Sequence, residues 1–265
     1  MTDMARCDTR VLMVVPTLGR RLAYLRQTLE SIRSQEVEAD IVVVAPEGIP
    51  ELLSVVREFS AQFLPDPGSL PAAINLGVRE GGGSHAYVAW LNDDDLLETG
   101  SLAATSRVLD ADGTAAVAFG ACRYIDEAGT ALWISRAGAW APRILAWGPD
   151  LVPQPGMLVR ASAWKACGGL DESYRLAFDL DLLLKLRAQG RLVDCGVVVS
   201  SFRWHADSLT VDDRSTNIRE SERAKRSALG PVARRLAWTW EAPVRVATRI
   251  AVRSVNRRAQ RAAAI

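Results

Sequence analysis

Three consecutive carboxylates, Asp93, Asp94 and Asp95, are the densest chemistry in this sequence. They close a short apolar run, Ala86-Tyr-Val-Ala-Trp-Leu91, whose length and β-forming residues predict a buried strand. Adjacent acids repel, and without a cation each raises its neighbours' pKa values. At the carboxyl end of a buried strand the natural compensation is a hard divalent ion held by oxygen ligands. Taken alone, the triplet also reads as a solvated turn in which Asp95 caps the helix that follows. A second acidic position, Asp179, starts a leucine-rich helical stretch as its cap, with Asp181 two residues on. Of the two histidines, His85 stands beside Gly81-Gly-Gly-Ser84, before the strand rather than after it, and reads as a structural side chain.

The elements that must position these groups alternate regularly. Val11-Leu-Met-Val-Val15 reads as a buried strand stopped by Pro16. Leu22, Leu25, Leu29 and Ile32 then recur at helical spacing. Ile41-Val-Val-Val44 is a second buried strand, and Glu51 to Phe63 predicts a helix. A short helix started by Pro71 leads to the acidic strand end, and a helix from about Thr99 to Leu109 follows it. Ala115 to Trp133 predicts a hairpin turned at Asp126-Glu-Ala-Gly129. A Pro-rich loop, Pro149 to Gly156, precedes Met157-Leu-Val-Arg160, a short helix around Trp164 and the loop Cys167-Gly-Gly-Leu-Asp-Glu172. Leu192 to Ser200 is the last strand. This β-α-β-α alternation implies a doubly wound, mostly parallel sheet with ligands at the carboxyl ends of its strands.

The chain has 265 residues, 49% hydrophobic, enough for one sizeable α/β domain. Cys7, Cys122, Cys167 and Cys195 form no C-x-x-C pair, which argues against zinc or disulfide frameworks and for a reducing compartment. Neither a signal-peptide core nor a membrane-spanning run is expected. The net charge of +1 conceals 12 Lys+Arg against 3 acids from Arg219 onward. A basic tail on an acidic body suggests an anionic partner, and no base-reading motif accompanies it, so a membrane surface is expected rather than nucleic acid. Arg245, Arg249, Arg253 and Arg257 would form one stripe of an amphipathic helix over Val244 to Arg258.

Four features occur in a fixed order: Val14-Val-Pro-Thr17, Asn75-x-Gly77, Leu91-Asn-Asp-Asp-Asp95, and Gly168-Gly-Leu-Asp-Glu172 followed by Phe178-Asp-Leu-Asp-Leu182. Together they resemble the family 2 glycosyltransferases of the GT-A fold, over roughly residues 10 to 210. The resemblance implies an α/β, Rossmann-like domain (10–210) with helices flanking a mostly parallel central sheet, and leaves 211–265 as a basic helical tail. It implies inverting transfer of one sugar from a nucleotide-diphosphate-sugar to an acceptor hydroxyl, with Mn²⁺ or Mg²⁺ on the diphosphate. Matched to the family's D-x-D pattern, Asp94 is the first metal ligand with Asp95 beside it. His205, in Arg203-Trp-His-Ala-Asp-Ser208, matches an element whose histidine contacts metal or diphosphate in some members.

By the same matching, Asp179 is the base that takes the acceptor's proton, with Asp181 ranked behind it. Pro16, Thr17, Arg20, Asn75, Asn92 and Asp93 face the nucleotide-sugar, and Gly168, Gly169, Asp171 and Glu172 the acceptor. The turn Val44-Ala-Pro-Glu-Gly48 departs from the acidic turn common in the family and leaves Glu47 to meet the base. The pattern's first position falls on Asn92, or on Asp93 if the register slips by one. These two departures define the alternative class, a non-catalytic relative that binds nucleotide-sugar or glycan, or scaffolds a membrane assembly. A glycan or lipid-linked acceptor and a cytoplasmic location, peripheral at the membrane's inner face, complete the expectation.

Overall fold

The computed structural model describes residues 11–82, 84–136, 138–204 and 214–244. His205 and the arginine stripe from Arg245 to Arg257 therefore lie outside the described residues. Among the described residues, no helix is long and apolar enough to cross a membrane.

The first half winds as its patterns require. β1 (Val11–Pro16) is buried at every residue, as an unbroken aliphatic run must be when both sheet faces are covered. α1 (Leu22–Arg33) buries Leu25, Leu29 and Ile32 along one stripe. β2 (Ala39–Ala45), α2 (Pro50–Glu58), β3 (Gln62–Pro65), α3 (Leu70–Glu80) and β4 (Tyr87–Trp90) follow. α3 starts at Ser69, whose hydroxyl accepts from Ala72 N at 3.4 Å, with proline in its first turn. α2 is shorter than its periodicity predicts. Phe63 leaves it for β3, which pairs in parallel with Val42–Ala45 of β2, a tertiary gain that local spacing cannot reveal.

The strand order is β3-β2-β1-β4, all parallel. β1 thus has β2 on one side and β4 on the other, a topological switch point that leaves a crevice at the strands' carboxyl ends.

The second half is mixed. β5 (Leu96–Leu97), α4 (Ser101–Ala111), β6 (Ala115–Ile125), β7 (Ala131–Ser135), α5 (Ala141–Ile144) and β8 (Leu158–Arg160) precede α6 (Ala161–Cys167) and α7 (Phe178–Gln189). β9 (Arg191–Arg203), α8 (Arg214–Ala228) and α9 (Pro231–Leu236) end the described elements. The order continues β4-β8-β6-β9-β5, with β7 on β6. β8 runs antiparallel to β4 and β6, β7 to β6, and β5 to β9, while β9 is parallel to β6.

The expectation of a mostly parallel sheet is corrected on this side. β6 turns straight back at 126–130 into β7, and so short a return can only be antiparallel. The turn itself is as expected, with Thr130 N donating to Asp126 Oδ1 at 2.7 Å and Gly129 at φ 90°.

The sheet also curls. β5 lies at the far end of the order, yet Leu97 N donates to Ser31 Oγ of α1 at 3.1 Å, and Thr28 Oγ1 of α1 to Asp95 O at 2.8 Å. The acidic turn is thereby held between β4 and the helix behind β1.

The described C-terminal residues pack on this body. Ala224, Leu229 and Ala237 are buried in the same core cluster as α6, α7 and β8, and the partly buried Trp240 packs against it. The break between α8 and α9 falls at Leu229-Gly230, with Pro231 opening α9.

Candidate active site

The crevice between β1 and β4 brings together the ends of two strands. Thr17 follows β1 and its N–H donates to Val44 O at 2.9 Å. Its hydroxyl donates in turn to Asp93 Oδ2, across the switch point. Thr17 is largely buried, so its first duty is to hold Asp93 rather than to meet a nucleotide. Pro16 is buried at the end of β1, whereas Arg20 and Glu47 are exposed at the rim. Burial pushes the Asp93 carboxyl up to about 6, with Asp94's charge adding to the rise; Thr17's hydroxyl and the Arg21 cation pull against it. Arg21, not singled out by the sequence, is thus a cation that the acidic turn feels.

The three acids have separate fates. Asp95 is fully buried; one carboxylate oxygen accepts Arg203 N at 3.1 Å and the other Asn92 Nδ2 at 3.2 Å. Burial and then Asp94's charge raise its pKa. Asp95, expected as a metal ligand, has both oxygens directed to the interior. Asn92, expected to face the nucleotide-sugar, gives its amide to Asp95 Oδ2. Asp94 keeps a half-buried side chain at the turn. Its carbonyl accepts Arg203 Nε at 3.0 Å.

Arg203 is the residue that sequence reasoning passed over in favour of His205. Its guanidinium also donates to Glu127 O at 2.9 Å and Gln27 Oε1 at 2.8 Å, and covers the Tyr24 ring at 4.3 Å. It binds the acidic turn, the hairpin turn and α1 into one piece.

Asn75 and the Gly-Gly loop form a clasp. Asn75 Nδ2 donates to Leu170 O at 2.9 Å and to Glu172 Oε1 at 3.0 Å, and Leu170 N returns a bond to Asn75 Oδ1 at 3.0 Å. The Asn75 amide, expected to face the nucleotide-sugar, holds the Gly-Gly loop to α3. Gly169 is required here: its φ is +72°, and a Cβ would lie 2.8 Å from Asn75 Oδ1. Gly168 ends α6 in the left-handed conformation, as a C-cap glycine does. Asp171 Oδ1 accepts Ser173 N at 2.9 Å, closing the turn, and Glu172 is exposed beside it.

Asp179 does not cap its helix. The N-cap of α7 is Ala177, and Asp179 lies in the first turn with Leu180 N donating to its Oδ1 at 2.8 Å. Burial raises its carboxyl to about 6, against the pull of backbone donors. Asp181 is directed elsewhere, into an ion pair with Lys185 at 2.7 Å.

Asp150, in the Pro-rich loop, joins Asp179. Solvent reaches its surface, yet enough protein surrounds it that desolvation, and then the charge of Asp179, push its carboxyl up to about 7. Two carboxyls that feel each other's charge titrate as a pair. No motif marks Asp150 in the sequence; only the fold brings it to Asp179. The same loop is tied to the first site, because Gln154 Nε2 donates to Trp90 O at the end of β4 at 3.1 Å. The loop that carries Asp150 is therefore fastened to the end of the strand that carries the acidic turn.

Among the described residues, no group of three His, Cys, Asp or Glu side chains is arranged to hold a metal ion. The donor set still fits a hard cation that keeps waters and substrate phosphates, since Mg²⁺-type sites take only one or two carboxylates from the protein. Asp94 and Asp93 are the two carboxylates that the turn offers besides the buried Asp95.

An α/β sheet switching at β1, with acids at the carboxyl end of β4, is the layout of a GT-A-like fold. Residues 13–159 match the family model Glycosyl transferase family 2. This chain belongs to that family.

The fold is also that of S. aureus TarS 1-349 in complex with UDP-GlcNAc (TM-score 0.62, 15% identity, 83% of this chain and 70% of that one). It resembles equally the mannosyltransferase PcManGT from Pyrobaculum calidifontis in complex with GDP-Man and Mn²⁺ (TM-score 0.62, 17% identity, 92% and 75%). A curated relative, "Uncharacterized protein y4gI" of Sinorhizobium fredii (strain NBRC 101917 / NGR234), is 28% identical over 215 residues, 77% of this chain. This match spans only 23% of that relative's length. Asp179 and everything after β8 lie beyond the residues that the family model matches.

Proposed function

We propose that the protein transfers a single sugar from a nucleotide-diphosphate-sugar to an acceptor hydroxyl, with inversion and with Asp179 as the base. The observation that carries this reading is a pair of carboxyl environments on segments fastened together by Gln154: acids at the β4 end, and Asp179 raised to about 6 beside Asp150.

A base with a pKa near 6 is ionised at neutral pH yet still basic enough to accept a proton, the compromise that general-base catalysis favours. The acceptor oxygen attacks the anomeric carbon while its proton passes to Asp179 Oδ. The bond from that carbon to the diphosphate oxygen breaks on the opposite face, and the electron pair leaves with the nucleoside diphosphate. Asp94 and Asp93 would hold the divalent ion, which when bound neutralises charge developing on the diphosphate. Thr17 fixes Asp93, and Arg203 fixes the turn from behind, so the ligands are set before the donor arrives.

Arg20 and Glu47 at the rim are proposed to meet the nucleotide, and Asp171 and Glu172 the acceptor. A family domain over 10–210, a basic tail whose first part (214–244) packs back on it, a glycan or lipid-linked acceptor, and a peripheral place on the cytoplasmic face of a membrane belong to the same proposal; the support for the membrane is the charge of the tail.

One observation favours the non-catalytic alternative: with Asp95 and Asn92 turned inward, the metal-binding side chains come down to two adjacent acids. Thermal unfolding with a panel of UDP- and GDP-sugars, with and without Mn²⁺, separates donor binding from turnover. Stabilisation by at least one donor, dependent on Mn²⁺, is expected. A protein whose midpoint ignores every donor in Mn²⁺ would refute the reading, and binding without any release of nucleoside diphosphate would favour the alternative.

A further inference from the structure

α8 lies beyond the residues that mark the family, and its side chains converge on the segment that leads into α7. Glu220 is the centre of this contact. Its carboxylate accepts Arg175 N at 3.0 Å, Leu176 N at 2.7 Å and Ala177 N at 3.0 Å. These are consecutive backbone amides ending at the N-cap of α7, two residues before Asp179. An acidic side chain is favoured there, because the amides and the helix dipole both present positive charge. Partial burial works to raise the Glu220 carboxyl, and the three amides outweigh it, holding its pKa below the ordinary value.

The grip extends on both sides. One turn on, Arg223 donates to Ser173 Oγ at 2.8 Å and covers the Tyr174 ring at 4.5 Å. Lys225 Nζ donates to Gly148 O at 2.6 Å, two residues before Asp150, and Asp150's charge acts on it. One helix thus touches the approach to both members of the carboxylate pair. Ala177, the cap residue of α7, offers no side chain of its own to fix the helix start, so this duty falls to a residue 43 positions away.

We infer that α8 is a working part of the transfer site, with Glu220 as the positioning residue that sets the base-bearing first turn of α7 and Lys225 steadying the Asp150 loop. The inference rests on the reading of Asp179 as the base. Its physical content is that Glu220 acts on turnover only through Asp179, by fixing where that carboxyl stands relative to the acceptor oxygen. Small displacements of such a group cost rate without costing donor affinity.

The test is a double-mutant cycle on the full chain, with UDP-N-acetylglucosamine and GDP-mannose as donor probes and release of nucleoside diphosphate as the readout. Glu220→Ala is expected to lower kcat on the order of 10-fold with donor KM within about twofold. Glu220→Gln keeps an oxygen for the three amides and should recover most of the loss, which also guards against mere unfolding. In an Asp179→Asn background, Glu220→Ala should cause no further loss of the residual rate. A folded Glu220→Ala protein with wild-type kcat overturns the inference, as does an equal loss in both backgrounds, which would mark a generally structural residue. If Asp179→Asn itself turns over like the wild type, the base assignment falls and takes this inference with it. An inactive Asp179→Asn beside a fully active Glu220→Ala removes only the inference.

Discussion

Asp94 and Asp95 are chemically identical and adjacent, but one is half-buried at the turn and the other lies wholly in the core, so substituting each reports on a different property. Asp94→Ala should remove Mn²⁺-dependent stabilisation by donor and change unfolding free energy less than Asp95→Ala does, because Asp94 is half-buried where Asp95 is wholly buried. Asp95→Ala should cost roughly 1–3 kcal/mol, since it strips Arg203 N and Asn92 Nδ2 of their buried acceptor. Chemical denaturation and donor titration of both variants check this; equal loss of stability in the two would contradict the geometry.

Asp179 makes a sharper case, because its carboxyl is raised in the folded state. Such a group binds its proton more tightly folded than unfolded, so stability falls as pH rises from the unfolded value of about 4 through the folded value of about 6. Asp179→Asn removes that cost and can still accept Leu180 N. It should therefore be more stable than wild type at pH 7.5, by on the order of 1–3 kcal/mol, with the gain vanishing near pH 4. Turnover should drop at least ~100-fold in the same variant, and wild-type turnover should climb across pH 6. An Asp179→Asn protein that is less stable at pH 7.5 than wild type would show that the side chain is structural.

At the scale of elements, the site depends on how closely α3 approaches β1. A Cβ at Gly77 would lie 2.5 Å from Val14 Cγ1, too near for any side chain without displacing the helix. Gly77→Ala should cost about 1–3 kcal/mol through overpacking. Because α3 carries Asn75, the displacement should also loosen the 168–172 loop, visible as faster amide exchange at Leu170. Gly113, with nothing within 4 Å of its Cβ position, is the control, and Gly113→Ala should leave both stability and exchange nearly unchanged. A Gly77→Ala protein with wild-type stability would show that helix and strand have slack the packing does not suggest.

For the whole molecule, the decisive boundary is where body ends and tail begins. Residues 214–244 bury Ala224, Leu229, Ala237 and Glu241 against the body, and Glu241 pairs with Arg226. A chain ending near Ala228 would lose part of this core, so the proper truncation for testing the basic tail ends at Val244. That protein should fold as the full chain does. It should lose binding to anionic vesicles at low salt, while the full chain binds them, ignores neutral vesicles and weakens as salt rises. Equal sedimentation of the two proteins with anionic vesicles would end the case for the arginine stripe as a membrane contact.

The sequence by itself determined the alternation of strands and helices, the acidic strand end and the acidic first turn of α7, because each is written in local period and residue type. Val11–Pro16 and Leu22–Arg33 needed no partner to be recognised. It could not determine which acid of the triplet lies wholly in the core. That choice follows from the curl that carries β5 onto β9 and brings Arg203 N to Asp95, a partner 108 residues away. The antiparallel half of the sheet, the strand at Gln62–Pro65 and the meeting of Asp150 with Asp179 were likewise decided by tertiary pairing. So was the reach of Glu220 to the start of α7, since a hydrogen bond between distant residues leaves no period in either stretch. Local chemistry named most of the candidate groups; the packing of distant elements set their surroundings and supplied the residues that hold them in place.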